Sequence, residues 1–308
     1  MPVVSVRNLS KRYGEHSAVV DVSFSVEQGE VVAVLGPNGA GKTTTMEILE
    51  GFLKRSGGSA EVLGADPGHA GSHWRSQIGM VLQATSLDGA LTVGETVDLY
   101  AGLYPAPLPA EDVLDMVGLA GETKTRVDQL SGGQQRRVDL AVGIVGQPKV
   151  LFLDEPTTGF DPDAREHAWT TVEDLTARGT TVLLTTHYLE EARRLAGRII
   201  VLAEGRVIAD DTPDRITRLM ERSMVINFRL ADPAKVAELP PALGDLAEPH
   251  HDEVSIKVED VHGALKELMA WSDAHDEQLA GLTVSPPSLE SVYLEIVHRA
   301  EQEASSRA

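Results

Sequence analysis

A glycine-rich loop between a short apolar run and a helix-like segment is the feature that most constrains this chain. Residues 36–43 fit the pattern G-x-x-x-x-G-K-[ST]. The run Val31–Leu35 before the loop is apolar and β-branched, as a buried parallel strand should be. The segment Thr43–Leu49 after the loop is typical of a helix. The order of strand, loop and helix predicts an α/β fold with a phosphate-binding loop.

The residue types in this loop suit a bound triphosphate. Glycines let the backbone approach a phosphate and adopt positive φ, while free N–H groups at a helix start attract negative charge. Lys42 is predicted to reach the β- and γ-phosphates, and Thr43 is predicted to ligate Mg²⁺. The alternative is a glycine-rich turn that only closes a βα unit, and the strand and helix around the loop disfavour it.

Two further apolar runs end in polar residues that suit the same site. Val150–Leu153 is followed by Asp154 and Glu155, and a run that begins at Thr181 ends in His187. Because ligands bind at the carboxyl edge of parallel strands, these side chains are expected near the phosphates. Asp154 suits an outer contact to Mg²⁺, Glu155 an attacking water, and a neutral His187 a hydrogen bond to the γ-phosphate.

A second glycine-rich helix start, Leu-Ser-Gly-Gly-Gln at residues 130–134, completes a recognisable set of motifs. With these motifs in order, residues 3–220 resemble the nucleotide-binding subunit of an ATP-binding cassette (ABC) transporter. The expected fold is therefore a P-loop NTPase core with an antiparallel β subdomain and a helical subdomain at about residues 84–145. Phe160 departs from the family pattern, which has leucine in the segment matching residues 158–161.

The resemblance assigns a role to each matching residue. The residues implied in ATP binding are Tyr13 (stacked on adenine), Gly36, Pro37, Asn38, Gly39, Ala40, Gly41, Lys42, Thr43, Thr44, Ser131, Gly132, Gly133 and Gln134. The residues implied in catalysis are Glu155, His187 and Gln83, and those implied in Mg²⁺ binding are Thr43, Gln83 and Asp154. The implied cofactors are ATP and Mg²⁺, and the implied reaction is hydrolysis of ATP to ADP and phosphate.

The resemblance also explains why one chain carries two phosphate-binding elements. In this family two cassettes pair head to tail, so the loop of one and the signature of the other enclose each ATP. The amides of Ser131, Gly132 and Gly133 would supply the second contact. The expected partners are a second ABC ATPase, identical or paralogous, and a separate transmembrane permease. The expected location is the cytoplasmic face of the cell membrane.

Composition excludes several other classes of protein. A net charge of −20 argues against a nucleic-acid surface, which needs clustered lysine and arginine. The pairs Arg136-Arg137 and Arg193-Arg194 are interpreted as solvated helix faces. The chain has no cysteine and therefore no disulfide framework. Its longest apolar runs are far shorter than the roughly twenty residues that span a bilayer.

The character of the sequence changes near residue 223, which predicts domains at 1–222 and 223–308. The second domain carries six basic and sixteen acidic residues. Strands are predicted at 225–230, 253–258 and 282–284, a helix at 260–271, and a solvated loop at His250-His251. A last amphipathic helix is predicted after Pro286-Pro287, with Ser288 as its cap and an apolar face formed by Leu289, Val292, Tyr293, Ile296 and Val297. Its start, Pro287-Ser288-Leu289-Glu290, resembles the closing helix of drug-resistance-type ABC exporters. This acidic domain is a solubilising accessory or a regulatory docking module.

Three functions are compatible with these motifs. The first is an ATPase subunit that drives a separate permease, with export of a drug or another small molecule favoured by analogy. The second is a soluble ABC ATPase that acts on nucleic acid or ribosomes, which would be expected to carry two cassettes or basic arms. The third is a regulator that does not hydrolyse ATP, and the intact Lys42, Asp154, Glu155 and His187 argue against it.

Overall fold

A computed structural model of the chain describes residues 2–82, 87–186, 188–218, 224–230, 232–244, 246–250, 253–285, 289, 292–293, 296–297 and 302. The chain divides into two compact units. The first comprises Met1–Pro213 together with Ile296–Ala308, and the second comprises Asp214–Glu295.

The first unit is built around a six-stranded sheet in the order β5-β6-β7-β3-β8-β9. Its strands are β3 (Val31–Leu35), β5 (Ile78–Val81), β6 (Val150–Asp154), β7 (Thr181–Thr185), β8 (Arg198–Ala203) and β9 (Arg206–Asp211). All pairs are parallel except the hairpin of β8 and β9. Every residue of β3, β6 and β7 is buried, as expected of parallel strands covered on both faces. Their carboxyl ends therefore meet at one edge.

A smaller antiparallel sheet lies in the same unit, in the order β2-β1-β4. Its strands are β1 (Val4–Tyr13), β2 (His16–Val26) and β4 (Gly57–Val62). The expected antiparallel β subdomain is confirmed, and the register pairs Tyr13 with His16 across the turn. This pairing puts both side chains at one end of the sheet.

Side-chain caps mark the start of some of the helices in this part of the chain but not of others. The helices are α1 (Lys42–Glu50), α2 (Ser72–Arg75), α3 (Val93–Ala101), α4 (Ala110–Met116), α5 (Gly132–Ile144), α6 (Pro162–Ala177), α7 (Leu189–Leu195) and α8 (Pro213–Arg218). Short 3₁₀ turns lie at Pro67–His69, Ala120–Glu122 and Val127–Gln129. Thr92 and Glu95 form a complete capping box at the start of α3. None of the helices in the described ranges is long and apolar enough to cross a membrane.

The second unit contains an antiparallel sheet in the order β11-β12-β10-β13. Its elements are β10 (Met224–Arg229), a 3₁₀ turn at Pro233–Glu238, α9 (Pro241–Gly244), β11 (Ala247–His250), β12 (Glu253–Val258), α10 (Val261–Ala274) and β13 (Ala280–Ser285). The three predicted strands and the predicted helix are confirmed. The loop predicted at His250 is wrong, because β11 pairs with β12 there. His251 lies outside the described residues.

Packing around Trp271 defines the core of the second unit. The side chain lies in one apolar cluster with Ile226, Phe228, Ile256 and Leu268. Its indole nitrogen donates a hydrogen bond of 2.6 Å to the Glu238 carbonyl, which satisfies the polar atom.

The predicted last helix falls mostly outside the described residues, including Pro287, Ser288 and Glu290. Its described positions are helical, and Leu289, Val292 and Val297 are buried as the amphipathic pattern requires.

Candidate nucleotide-binding site

The glycine loop between β3 and α1 leaves the first amides of α1 without a side-chain cap. Gly41 stands at the N-cap position with φ of 96°, and no side chain caps the helix there. The left-handed conformation explains the need for glycine at this position. Uncapped N–H groups and the helix dipole together form a binding site for an anion.

Lys42 is folded back over its own loop. Its Nζ donates hydrogen bonds of 2.7 Å to the Gly36 carbonyl and 3.1 Å to the Pro37 carbonyl. Burial lowers the pKa of Lys42, and the nearby carboxylates of Glu155 and Asp154 oppose that shift. Neutral carbonyl partners hold the ammonium group more weakly than an anion would, so a bound phosphate could replace them.

A cleft of about 320 Å³ lies beside this loop, and its lining brings distant parts of the chain together. The lining residues are Tyr13, His16, Ala18, Asn38, Gly39, Gly41, Lys42, Thr43, Thr44 and Glu155. The phenol ring of Tyr13 is 47% exposed and is available for stacking. The structure therefore gathers seven of the fourteen residues implied in ATP binding around one opening, and Gly36, Pro37 and Ala40 of the loop do not line it.

His16 and Ala18 line the cleft although sequence reasoning assigned them no role. Both follow the turn after Tyr13 on β2, and hairpin register alone could have placed His16 opposite Tyr13. A Cβ on Gly41 would lie 2.5 Å from the Ala18 carbonyl oxygen. The start of β2 therefore packs directly on the phosphate-binding loop, which fixes the wall of the cleft.

The two adjacent acids at the end of β6 have different environments. Asp154 is 8% exposed and accepts a hydrogen bond from the Thr185 hydroxyl. Glu155 has a φ of 48° and reaches the cleft. Its backbone N–H donates to the Thr185 carbonyl at 3.0 Å, and the Thr158 hydroxyl donates to its carboxylate at 3.3 Å. Glu155 therefore lines the cleft, whereas Asp154 does not.

A third carboxyl group, close enough to Asp154 to interact with its charge, was missed by sequence reasoning. Glu50, the last residue of α1, is buried, and its Oε1 has no hydrogen-bond partner. Burial, with contributions from Asp154 and Glu47, raises the pKa of Glu50 to about 7. Only tertiary packing buries this side chain, because nothing in the local sequence distinguishes it from a solvated helix-end glutamate.

The signature residues form a helix start of their own, outside the lining of the cleft. Ser131 caps α5: its hydroxyl accepts from the Gln134 N–H at 3.3 Å, and the Gln134 side chain accepts from the Ser131 N–H at 2.9 Å. Glu122 accepts a hydrogen bond of 3.4 Å from the Gln134 side chain. A Cβ on Gly132 or Gly133 would meet nothing within 4 Å. Their own subunit therefore imposes no steric need for glycine there.

Two predicted site residues, Gln83 and His187, lie outside the described residues. Leu82, Thr186 and Tyr188, which are next to them in the chain, are described. The Leu82 carbonyl accepts a hydrogen bond from Arg136 of α5, and the Tyr188 N–H donates to the Thr186 hydroxyl at 2.9 Å. Arg136 is 13% exposed, so its interpretation as part of a solvated helix face is wrong.

The fold and this cleft define the class of protein as a P-loop NTPase. Comparison with known proteins narrows the class. A family model described as "ABC transporter" matches residues 19–158, and one described as "ABC transporter domain-containing protein-like, C-terminal domain" matches residues 224–288.

Two curated relatives cover most of the chain. The chain is 38% identical to the daunorubicin resistance ATP-binding protein DrrA2 of Streptomyces coeruleorubidus, over 99% of this chain and 98% of that protein. It is 39% identical to the Nod factor export ATP-binding protein I of Burkholderia orbicola (strain AU 1054), over 76% of this chain and 79% of that protein.

Solved structures agree with these relatives. An ATP-binding subunit of an ABC transporter superposes with a TM-score of 0.66 at 28% identity, over 71% of this chain and 93% of that one. A dimeric bacterial ABC transporter cassette superposes with a TM-score of 0.63 at 28% identity, over 68% and 98% of the two chains. The chain belongs to the ATP-binding subunits of ABC transporters. It is an ATPase that hydrolyses ATP to drive transport, which confirms the predicted family and enzyme class.

Proposed function

We propose that this chain energises a separate transmembrane permease that exports a drug or another small molecule. The observation that carries the ATPase part is the cleft in which Tyr13, Lys42, Thr43 and Glu155 meet. The names of the two relatives, one for daunorubicin resistance and one for Nod factor export, support export as the direction of transport. Neither relative supports the alternative of an ABC ATPase that acts without a permease.

ATP binding depends on the loop and the start of α1. The triphosphate accepts hydrogen bonds from the amides of Gly39, Gly41 and the first turn of α1. Lys42 exchanges its bonds to the Gly36 and Pro37 carbonyls for the β- and γ-phosphates. Tyr13 stacks on adenine from the end of β1.

The residues around the loop also suit a Mg²⁺ ion. Thr43 and Asp154 provide hard oxygen atoms, the ligand type that Mg²⁺ prefers, and Gln83 completes the proposed set. No group of three or more His, Cys, Asp or Glu that could hold a metal occurs among the described residues. The ion is therefore proposed to depend on the phosphates of ATP for most of its ligands. A bound Mg²⁺ neutralises phosphate charge during transfer.

Glu155 is the proposed general base for hydrolysis. Its carboxylate reaches the cleft because the backbone at φ 48° is held by Thr185. From there it can orient a water for in-line attack on the γ-phosphate and accept its proton. Asp154 is buried and hydrogen-bonded, so it suits a fixed outer contact to Mg²⁺. His187 is the proposed hydrogen-bond donor to the γ-phosphate.

Two cassettes are proposed to enclose each ATP. Ser131, Gly132, Gly133 and Gln134 do not line the cleft of their own subunit, and both glycines have open space around them. A triphosphate held by a second subunit can therefore approach the amides at the start of α5. Hydrolysis removes the γ-phosphate that bridges the two cassettes, which separates them.

The proposed arrangement assigns residues 1–222 to the nucleotide-binding domain and 223–308 to an acidic accessory domain. The cassette pair is peripheral, at the cytoplasmic face of the membrane, in contact with the permease. Nucleic acid is not a proposed partner, because the net charge is −20.

Nucleotide-driven pairing of the full chain tests the proposal. Glu155→Gln should bind ATP without rapid hydrolysis, so its mass measured by light scattering should double with ATP and Mg²⁺ but not with ADP. Lys42→Ala should remain unpaired in ATP because it loses the contacts to the phosphates. Lys149→Ala, at the opposite end of β6, is the matched control and should not change pairing. A Glu155→Gln chain that stays monomeric at saturating ATP would refute the enclosed-ATP arrangement.

A test of the permease uses a tagged full chain expressed with its natural genomic neighbours. Detergent extraction of the membranes should recover an associated hydrophobic membrane protein that stimulates ATP hydrolysis. Recovery of the chain without any membrane protein, at its full ATPase rate, would favour the alternative function.

A further inference from the structure

Glu191 on α7 is a fully buried carboxylate that does not line the nucleotide cleft. Its exposed fraction is 0%. Its Oε1 accepts two hydrogen bonds of 2.9 Å, one from the Thr157 hydroxyl and one from the Trp169 indole N–H. Its Oε2 is buried and has no hydrogen-bond partner. Both donors, a hydroxyl and an indole N–H, are neutral groups.

This arrangement is a poor way to stabilise a fold. A buried carboxylate loses its hydration, and two neutral donors on one oxygen do not fully replace it. An apolar side chain of similar size would avoid that cost. A buried polar group of this kind can instead serve to fix a geometry.

The two donors belong to segments that carry the proposed chemistry. Thr157 is two residues after Glu155, and the next hydroxyl, that of Thr158, donates to the Glu155 carboxylate at 3.3 Å. Trp169 belongs to α6, the helix that follows this segment. Glu191 itself lies in the first turn of α7, which begins two residues after His187. One oxygen atom therefore connects the segment of the proposed base to the helix that follows the proposed γ-phosphate donor.

Two ring contacts support the same junction of α6 and α7. The guanidinium group of Arg165 lies 4.6 Å from the centre of the Tyr188 ring. The guanidinium group of Arg194 lies 5.0 Å from the centre of the Trp169 ring and also pairs with Glu173 at 3.1 Å. These contacts sit on both sides of Glu191 along α7, so the carboxylate occupies the middle of the interface between the helices.

We propose that Glu191 is a positioning residue for ATP hydrolysis. It fixes the Glu155 segment relative to the start of α7, so that the base and the γ-phosphate donor stay aligned on one phosphate. This inference rests on the proposed roles of Glu155 and His187. Because Glu191 does not line the cleft, its loss should change kcat and leave ATP binding nearly unaltered.

Kinetics of the full chain with Glu191→Ala test this inference. The kcat for ATP hydrolysis should fall by about 10- to 100-fold, the range expected when reacting groups are displaced by about 1 Å. The KM for ATP and the Kd for a non-hydrolysable ATP analogue should stay within about threefold of the parent values. Glu191→Gln keeps an acceptor oxygen and the same volume, so it should restore kcat to within about threefold of the parent.

The matched control is Glu173→Gln, which removes an exposed carboxylate from the same helix interface. The Glu173→Gln variant should leave kcat unchanged. If the interface had only a structural role, both Glu173→Gln and Glu191→Ala would have a lower Tm, and kcat per folded molecule would not change in either. Parent-like kcat in folded Glu191→Ala would overturn the inference. A kcat loss matched by an equal loss of nucleotide affinity would overturn it too.

Two milder variants keep the test decisive if Glu191→Ala does not fold. Thr157→Val removes one donor, and Trp169→Phe removes the other while keeping an aromatic ring. Each should lower kcat by about 3- to 10-fold, and the double variant should lose less than the product of the two, because both act through one oxygen. Parent-like kcat in both would refute the role of Glu191. The Glu155→Gln result is measured independently, so failure of the proposed base is distinguishable from failure of this inference.

Discussion

The two glycine-rich helix starts of this protein differ in what requires their glycines. In the loop before α1, a Cβ on Gly36 would lie 2.4 Å from the Leu202 carbonyl oxygen, and one on Gly41 would lie 2.5 Å from the Ala18 carbonyl oxygen. At the start of α5, a Cβ on Gly132 or Gly133 would meet no atom within 4 Å. The first pair of glycines is required by the subunit itself, and the second pair is not.

This difference indicates that the two glycine-rich helix starts have different roles. The first loop is built into its own subunit and faces a cleft with Tyr13 and Glu155. The second presents a capped helix start with open space before it, which is the shape that a ligand held by another molecule would need. Sequence similarity between glycine-rich segments therefore does not imply the same steric requirement for glycine.

The largest expected effect is on kcat, and it distinguishes Glu155 at the cleft from Glu122 beside the second helix start. Glu155→Gln should lower kcat by about 10²- to 10⁴-fold, because the cleft loses its general base, while ATP affinity stays near that of the parent. Glu122→Gln changes the carboxylate that accepts a hydrogen bond from Gln134, and should keep kcat within about threefold. Steady-state ATPase assays measure both. Near-normal turnover in Glu155→Gln would remove that residue from the base role.

A pH effect on stability is expected from Glu50, which is buried at the end of α1. The pKa of Glu50 is raised from 4.5 to about 7 by burial, so the folded state binds its proton more tightly than the unfolded state does. The protonated Glu50 side chain contributes its full stabilisation to the folded state below pH 4.5. The free energy of unfolding then falls by roughly 3 kcal/mol as the pH rises to about 7. Glu50→Gln should therefore be more stable than the parent at pH 8 and about equal to it at pH 4.5.

Urea unfolding at the two pH values measures this effect. Glu61→Gln, on the exposed surface of β4, is the matched control and should show the same pH dependence as the parent. An unchanged slope of stability with pH in Glu50→Gln would show that Glu50 is solvated in the folded protein.

A paired glycine substitution tests the comparison directly. Gly36→Ala should lower the free energy of unfolding by about 1–3 kcal/mol, because its Cβ overlaps the Leu202 carbonyl. Gly133→Ala should be neutral or stabilising by up to about 1 kcal/mol, because alanine favours a helix. Guanidinium unfolding curves measure both. Equal destabilisation by the two substitutions would contradict the distinction between the two helix starts.

The smallest expected effect compares two capping boxes. Ser131→Ala and Thr92→Ala should each cost about 1 kcal/mol of stability, because each removes the side-chain cap of a helix. Only Ser131→Ala should also lower the ATPase rate, since α3 has no proposed part in binding. Thermal melts and ATPase assays on the same samples check this. Equal rates in the two variants would show that the start of α5 does not contact nucleotide.

Much of the fold followed from local sequence. The capping box at Thr92 and the hairpin turn at Glu204-Gly205 depend on residues a few positions apart, and both were predictable. The strand β11 was not, because Ala247–His250 has little β propensity and is a strand only through pairing with β12. Pro249 fits there because β11 is at the edge of the sheet.

The functional site also contains some residues that local sequence predicts and others that it does not. The phosphate-binding loop and the acids at the end of β6 were predictable because each follows a buried strand, and parallel strands end at a common edge. Arg136 was not, because its hydrogen-bond partner, the Leu82 carbonyl, lies 54 residues earlier in the chain. Glu191 was missed for the same reason, with donors on two other segments.

The sequence by itself determined the family, the order of the motifs and the starts of α1, α3 and α5, because motif spacing and helix caps depend on near neighbours in the chain. Tertiary structure alone decided which carboxyl groups are buried and which glycines are sterically required. Both properties depend on atoms that packing brings from distant segments, such as the Ala18 and Leu202 carbonyls against the glycine loop. Those neighbouring atoms cannot be identified from the residues adjacent in the sequence.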